Sequence, residues 1–162
     1  MATTHRLDEW LYRGGHPNGV ARLLNRGWAR FATLGVGPAR LVTLEVDGRR
    51  THRTISFPVV VADYDGEEYL VSMLGTGTNW VKNVKAAGGD VVLSHRGRRR
   101  VHLEEVSVDQ RAPVLRRYLD CAPGARAHFP IQPGAAIAEF ERIAADYPVY
   151  RVVAHYPPAT SQ

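Results

Sequence analysis

Leu41-Val42-Thr43-Leu44-Glu45-Val46-Asp47-Gly48-Arg49-Arg50-Thr51-His52-Arg53-Thr54-Ile55-Ser56-Phe57-Pro58-Val59-Val60-Val61-Ala62 holds two apolar runs joined by an arginine-rich tip. Leu41, Val42, Leu44 and Val46 read as a strand that ends at the turn pair Asp47-Gly48. Thr54 to Ala62 reads as a second strand, so Arg49, Arg50 and Arg53 ride on the hairpin between them. Pro58 interrupts that second strand. It has no N–H to give to a ladder, which puts it at a sheet edge, at a bulge, or beside something that is not protein.

Outward from this hairpin, Asp65-Gly66 turns the chain into a third strand, Glu68 to Leu74. A loop over Gly75 to Asn79 precedes a helix from Trp80 to Ala87, which Gly88-Gly89 stops. Strands follow at Val91 to His95 and Arg98 to Val108, and Asp109 can cap a helix running to about Leu119. The segment from Cys121 to Gly134, rich in Pro and Gly, is long enough for a lid or a site-lining role. A helix over Ala135 to Ala145 and a strand over Val149 to Ala154 come last. Ahead of the hairpin, Leu7, Trp10 and Leu11, then Val20, Leu23, Leu24, Trp28 and Phe31, predict a helical segment over about residues 7–33.

With no linker or repeat, residues 1–162 read as one domain: mainly β with flanking helices (α+β), its antiparallel strands joined mostly by hairpins. The apolar runs Phe57 to Ala62 and Val91 to Leu93 favour burial on both faces. A small barrel is the expected architecture.

Composition narrows the function. A chain of 162 residues with 44% hydrophobic side chains buries a core without staples, and Cys121, its one cysteine, can make no internal disulfide. Seven scattered histidines and one thiol offer no metal-ligand spacing, so no metal is expected. No apolar run is long enough for a signal peptide or a membrane span, and a cytoplasmic location is expected. The net charge of +5 lies partly in two short arginine clusters, Arg49-Arg50 with Arg53, and Arg96 with Arg98 to Arg100. These make no continuous basic stripe, and nucleic acid is not expected as a partner.

Two segments can bind anions. The Gly75 to Asn79 turn opens into a helix, where unpaired N–H groups meet a phosphate, with Ser72, Thr76, Thr78 and Asn79 as side-chain donors; a helix start capped by Thr78 or Asn79 explains the same residues. The hairpin arginines can clamp a phosphate or carboxylate, or simply be a solvated tip. No nucleophile elbow or shared carboxylate pair is present, so any chemistry belongs to a bound cofactor that the protein orients.

Four motifs in this order and spacing carry a resemblance: Gly48-Arg49-Arg50-Thr51, Ser56-Phe57-Pro58-Val59-Val60-Val61, Tyr69-Leu70-Val71-Ser72 and Asn79-Trp80-Val81-Lys82-Asn83-Val84. From about Arg40 to Val153 the chain resembles the deazaflavin-dependent nitroreductase family, split β-barrel oxidoreductases of actinobacteria that use coenzyme F420. It departs from the common pattern at His52-Arg53 and at Met73-Leu74. The resemblance implies hydride exchange at the deazaflavin C5 with a small acceptor: a quinone, an activated alkene or a nitro compound. Arg49, Arg50, Thr51 and Arg53 would hold the acidic cofactor tail, and Ser56, Phe57, Pro58 and Val59 would run beside the ring. Ser72, Leu74, Gly75 and Asn79 would hold the phosphate end or frame the groove, with Trp80 and Asn83 anchoring the helix behind. An FMN-dependent reductase of the same fold is the alternative, and a non-catalytic binder of a flavin, haem or fatty acid is a second. Pairing into a homodimer stays open. For the acceptor pocket, Phe129 is the expected stacking wall, and His128, or Tyr118 on the preceding helix, the expected proton donor. Phe129 plugging the barrel end beside a solvated His128 is the other outcome.

Overall fold

A computed structural model describes residues 40–155. The helical segment expected over residues 7–33 lies outside them. The described chain runs β1 (Leu41–Asp47), β2 (Thr54–Tyr64), β3 (Glu67–Val71), α1 (Asn79–Ala86), β4 (Asp90–Ser94), β5 (Arg98–Glu105), α2 (Arg111–Cys121), α3 (Ile137–Ile143) and β6 (Val149–Ala154). The six strands close into a barrel in the order β1-β2-β3-β6-β5-β4, and every neighbouring pair is antiparallel. This is the expected fold class.

Alternation along the strands sorts side chains onto two cores. Val42, Leu44, Leu70, Leu93, Leu103 and Val152 belong to the cluster that fills the barrel, joined by Val81 and Val84 of α1, which closes one barrel end. On the outer face, Ala62, Val71 and Val149 pack with Leu115 and Leu119 of α2 and Phe140 of α3. The two-faced burial of β2 follows from this arrangement.

Turn chemistry sets several boundaries. Asp65 (φ 50°) and Gly66 (φ 77°) both take left-handed backbone, the two-residue turn whose twist suits a hairpin. After α1, Gly89 N–H donates to Val84 O (3.0 Å) and Gly88 N–H to Lys85 O (3.2 Å), the paired bonds of a Schellman stop.

Several expected boundaries are corrected. β3 ends at Val71, not Leu74, because Ser72 starts a turn: Gly75 N–H donates to Ser72 O at 3.1 Å. β5 ends at Glu105, not Val108, and a 3-10 turn over Val108–Gln110 precedes α2, whose N-cap position is Gln110 rather than Asp109. The expected lid, Cys121 to Gly134, opens on the last residue of α2 and continues as a 3-10 helix over Pro123–His128, and it packs Ala125 and Phe129 into the outer core.

Pro58 pairs with Thr43 in the β1–β2 register, while β3 pairs with β2 only from Val61 to Tyr64. Among the described residues, the second edge of β2 from Thr54 to Val60 is therefore unpaired, which is the edge position that a missing N–H predicts.

Candidate functional site

The chain that leaves β3 does not continue the sheet along that free edge. It turns at Ser72 and runs through Gly75 to α1. Phe57 of β2 and Trp80 of α1 touch with ring centroids 6.0 Å apart, tilted at 43°, and Trp80 meets Tyr150 inside the barrel at 5.6 Å, so α1 packs against the first half of β2 through the barrel core.

The β1–β2 hairpin stands beside α1. Gly48 N–H donates to Arg53 O (2.9 Å) and His52 N–H to Gly48 O (2.8 Å). A side chain on Gly48 would come within 2.9 Å of Thr51 Oγ1 and 3.0 Å of Ile55 Cδ1, so both exposed side chains would have to move to admit it. The hairpin is tied to α1 through Arg49: its main-chain N–H and Nη1 donate to Asn83 Oδ1 at 3.3 and 2.9 Å, and Nη2 to Asn79 Oδ1 at 3.5 Å. Arg50, Thr51 and Arg53 are exposed. Arg49, Arg50, Arg53 and Lys82 form no ion pair among the described residues, and the first turn of α1 holds no acidic side chain. The result is a cluster of uncancelled positive charge.

The Ser72 to Asn79 loop is held from within. The buried Ser72 Oγ donates to Gly75 O (2.7 Å) and lies 3.1 Å from Thr78 Oγ1. Thr78 occupies the N-cap position but makes no side-chain cap bond there. Gly75 sits at φ 85°, with Asp146 O 3.3 Å from where a Cβ would stand. The hydroxyls of Ser72 and Thr78 thus shape the loop, while the first turn of α1 is left without a hydroxyl cap.

Of the sequence-derived candidates, Arg49, Arg50, Thr51 and Arg53 lie on the hairpin, Ser56, Phe57, Pro58 and Val59 on β2, and Asn79, Trp80 and Asn83 on α1, with Asn83 buried, while Ser72 is buried in the loop. Leu74, Gly75 and His128 line a depression of about 220 Å³ with Met73, Asp146 and Tyr147. Tyr118 and Phe129 are 4% and 6% exposed in the outer core, where Phe129 stacks on Tyr147 (4.1 Å, 16°). Burial pushes the Tyr118 hydroxyl pKa well above its ordinary value, so as placed it is a poor acid.

Sequence reasoning missed Lys82 and Tyr150. Lys82 was legible, one turn after Asn79. Tyr150 was not: its Oη is buried among barrel side chains with no hydrogen-bond partner among the described residues, and burial, with Glu105 nearby, pushes its pKa up to about 12.

A second depression, about 340 Å³, lies on the outer side of β1 and β4. Its carboxylates are already partnered, Glu45 by Arg98 and Ser94, and Asp90 by His102 and His155. The hydrogen bond to His102 is the main cause holding the Asp90 carboxyl below its usual range. Among the described residues, no group of three His, Cys, Asp or Glu side chains could hold a metal ion, and no helix is long and apolar enough to cross a membrane.

No protein-family model and no curated protein matches the sequence. Among solved structures, the chain is similar to a protein from Bacteroides thetaiotaomicron described as a 5-nitroimidazole antibiotic resistance protein, at 10% identity over 79% of this chain and 78% of that one, TM-score 0.50. It is similar to a protein of unknown function from Agrobacterium tumefaciens at 13% identity, over 83% of this chain and 53% of that one, TM-score 0.50. An F420-H2 dependent reductase matches at 15% identity over 70% of this chain and 94% of its own, TM-score 0.48. The two likenesses at a TM-score of 0.50 establish a fold and leave the reaction to be argued from the site: the chain is a closed six-stranded antiparallel β-barrel with flanking helices.

Proposed function

We propose that this protein is an F420-dependent oxidoreductase that moves hydride between the deazaflavin and a small organic acceptor, a quinone, an activated alkene or a nitro compound. The observation that carries the reading is the cluster of Arg49, Arg50, Arg53 and Lys82, which form no ion pair among the described residues, beside the β2 edge left unpaired from Thr54 to Val60, along which we place the cofactor cleft. A flavin-type cofactor needs both, a strand edge for the polar rim of a flat ring and cations for an anionic tail. The residues present fit such a group. Pro58 supports the reading as well, since it removes a main-chain donor beside the proposed ring position.

When bound, the cofactor supplies hydride chemistry at its C5 carbon. The chain's own residues bind and orient. Arg50 and Arg53 take the tail with Arg49, and Thr51 adds a hydroxyl beside them. Ser56 to Val59 present strand backbone to the ring, and Gly75 lets the loop pass close to the phosphate end. His128, in the depression next to Leu74 and Gly75, is the proposed proton donor to the reduced acceptor. Phe129 and Tyr118 act behind it, as the packed layer that holds the 3-10 helix in place.

The test is to purify the protein free of cofactor, add F420 or FMN, and follow retention and fluorescence. The retained cofactor, reduced, is then offered a panel of quinones, enones and nitroaromatics. F420 retention with turnover is the expected result. FMN in its place would make the protein an FMN reductase of this fold, and retention without turnover of any acceptor would make it a carrier.

A further inference from the structure

Arg49 is held by two neutral amides where carboxylates would bind it more strongly. Asn83 is 3% exposed, and its Oδ1 accepts from both the Arg49 main chain (3.3 Å) and Nη1 (2.9 Å). Asn79, exposed at the first position of α1, accepts from Nη2 at 3.5 Å. The guanidinium already makes these bonds charge-assisted, and a carboxylate acceptor would turn them into a full ion pair. A carboxylate at Asn79 would also stand in the first helical turn, where negative charge is favoured. Instead both acceptors are the uncharged isosteres, and Arg50, Arg53 and Lys82 bring further charge without an ion pair among the described residues. The arrangement fixes the guanidinium without cancelling it.

We propose that Asn79 and Asn83 are positioning residues that hold the Arg49 guanidinium against α1 through amides, so that its full charge stays available to the anionic tail of the bound ligand, its phosphate included. This rests on reading the cleft as a flavin-type cofactor site and adds how the site keeps its charge. Folding stability and ligand affinity are set against each other here, so a carboxylate at either position moves the two in opposite directions.

The experiment compares wild type, Asn79→Asp and Asn83→Ala as full chains. It reads Tm without ligand and affinity for F420, FMN, riboflavin and inorganic pyrophosphate. Asn79→Asp is isosteric and exposed, so folding is preserved. It is expected to raise Tm while weakening F420, FMN and pyrophosphate by roughly tenfold or more, the value of one charge-assisted hydrogen bond. Riboflavin, which has no phosphate, should bind both proteins alike. Asn83→Ala releases Arg49 without adding charge and should weaken the same three ligands; if it melts too low to assay, Asn79→Asp decides alone. A lower Tm in Asn79→Asp, affinities within twofold of wild type, or a riboflavin loss in step with FMN overturns the proposal and leaves the cofactor reading standing. If pyrophosphate binds and responds to Asn79→Asp while wild type retains neither F420 nor FMN, the cofactor reading fails and the positioning role stands. If wild type binds none of the anionic probes, both fall.

Discussion

Arg111 holds the outer layer together, and no periodicity in the sequence announces it. Though only 5% exposed, it donates through Nε to Val106 O (2.8 Å), through Nη1 to Ala144 O (3.2 Å) and Tyr147 O (3.5 Å), and through Nη2 to Glu105 (3.1 Å). One side chain thereby links the end of β5, the end of α3 and the approach to β6. Arg111→Met should lower unfolding free energy by about 2–3 kcal/mol, as read by urea melts, because the Val106, Ala144 and Tyr147 carbonyls lose this donor while Glu105 keeps Lys85. Arg111→Lys should recover little of it, because a point charge cannot reproduce the fork. Tyr150 presents the opposite case, a buried hydroxyl with no partner among the described residues. Tyr150→Phe should raise stability by on the order of 1 kcal/mol, since an unsatisfied buried donor is a net cost. Its pKa is raised by burial from 10.0 to about 12, so the folded state disfavours the phenolate. The stability tied to that proton is complete below pH 10.0 and lost as pH rises through about 12, and Tyr150→Phe should lose less over that window in alkaline melts. At this scale the hairpin cations were legible from the sequence, as was Gly75. The tether from Arg49 to Asn83 was not, because those residues lie 34 apart in the chain. Phe129 and Tyr118 were legible as large aromatics next to a proline-bearing segment, but nothing in their spacing says that Phe129 stacks on Tyr147 instead of facing a ligand.

Turn chemistry in the sequence marked where the chain turns, and β6 runs from Val149 to Ala154 as expected, whereas the ends of β3 and β5, each followed by apolar residues, were not legible. Asp47-Gly48, Asp65-Gly66 and Gly88-Gly89 each lie where the chain turns, because those residues tolerate backbone that others resist. Met73 and Val106 read as strand continuations, yet both leave their ladders to pack on the outer core. An apolar residue signals burial, not the element that buries it. The stop after α1 offers a graded test. Gly89 stands at φ 92°, and an added Cβ would meet His102 Cε1 at 2.7 Å and Leu103 O at 2.8 Å. Gly88 stands at φ 65° with nothing within 4 Å. Gly88→Ala should therefore cost about 1–2 kcal/mol, the left-handed penalty alone. Gly89→Ala should cost clearly more, because Leu103 O is backbone and also belongs to the β5 ladder beside Asp90. Equal losses in thermal melts of the two variants would mean that β4 shifts to admit the methyl group.

Across the whole molecule, charge is sorted by place. Several cations away from the hairpin have partners: Arg40 and Arg117 with Asp63, Arg99 with Glu68, Arg151 with Glu104, and Lys85 of α1 with Glu105. Arg49, Arg50, Arg53 and Lys82 have no ion pair among the described residues, so part of the net +5 is concentrated beside the split in the barrel. The fold class was legible because hairpin turns and two-faced apolar runs permit few architectures. The order β1-β2-β3-β6-β5-β4 was not, because closure depends on β1 meeting β4, contacts with no local signature. Since the split is where β3 leaves β2, the cation cluster and the free strand edge belong to one consequence of topology. Like charges gathered there repel, and an anion that binds the folded state alone relieves that strain and shifts the folding equilibrium by mass action. Pyrophosphate should therefore raise Tm above the value reached with sodium chloride at equal ionic strength, by an amount that keeps growing with concentration, about 2.7 kcal/mol at a hundred times Kd. Chloride supplies the same screening without the multivalent contact, so the difference between the two salts isolates binding from ionic strength. In the Arg50→Ala/Arg53→Ala double variant the unliganded Tm should hold or rise, because two repelling charges are gone, and the extra pyrophosphate shift should shrink toward the chloride value. A shift that survives intact in the double variant would locate the anion at another of the protein's arginines.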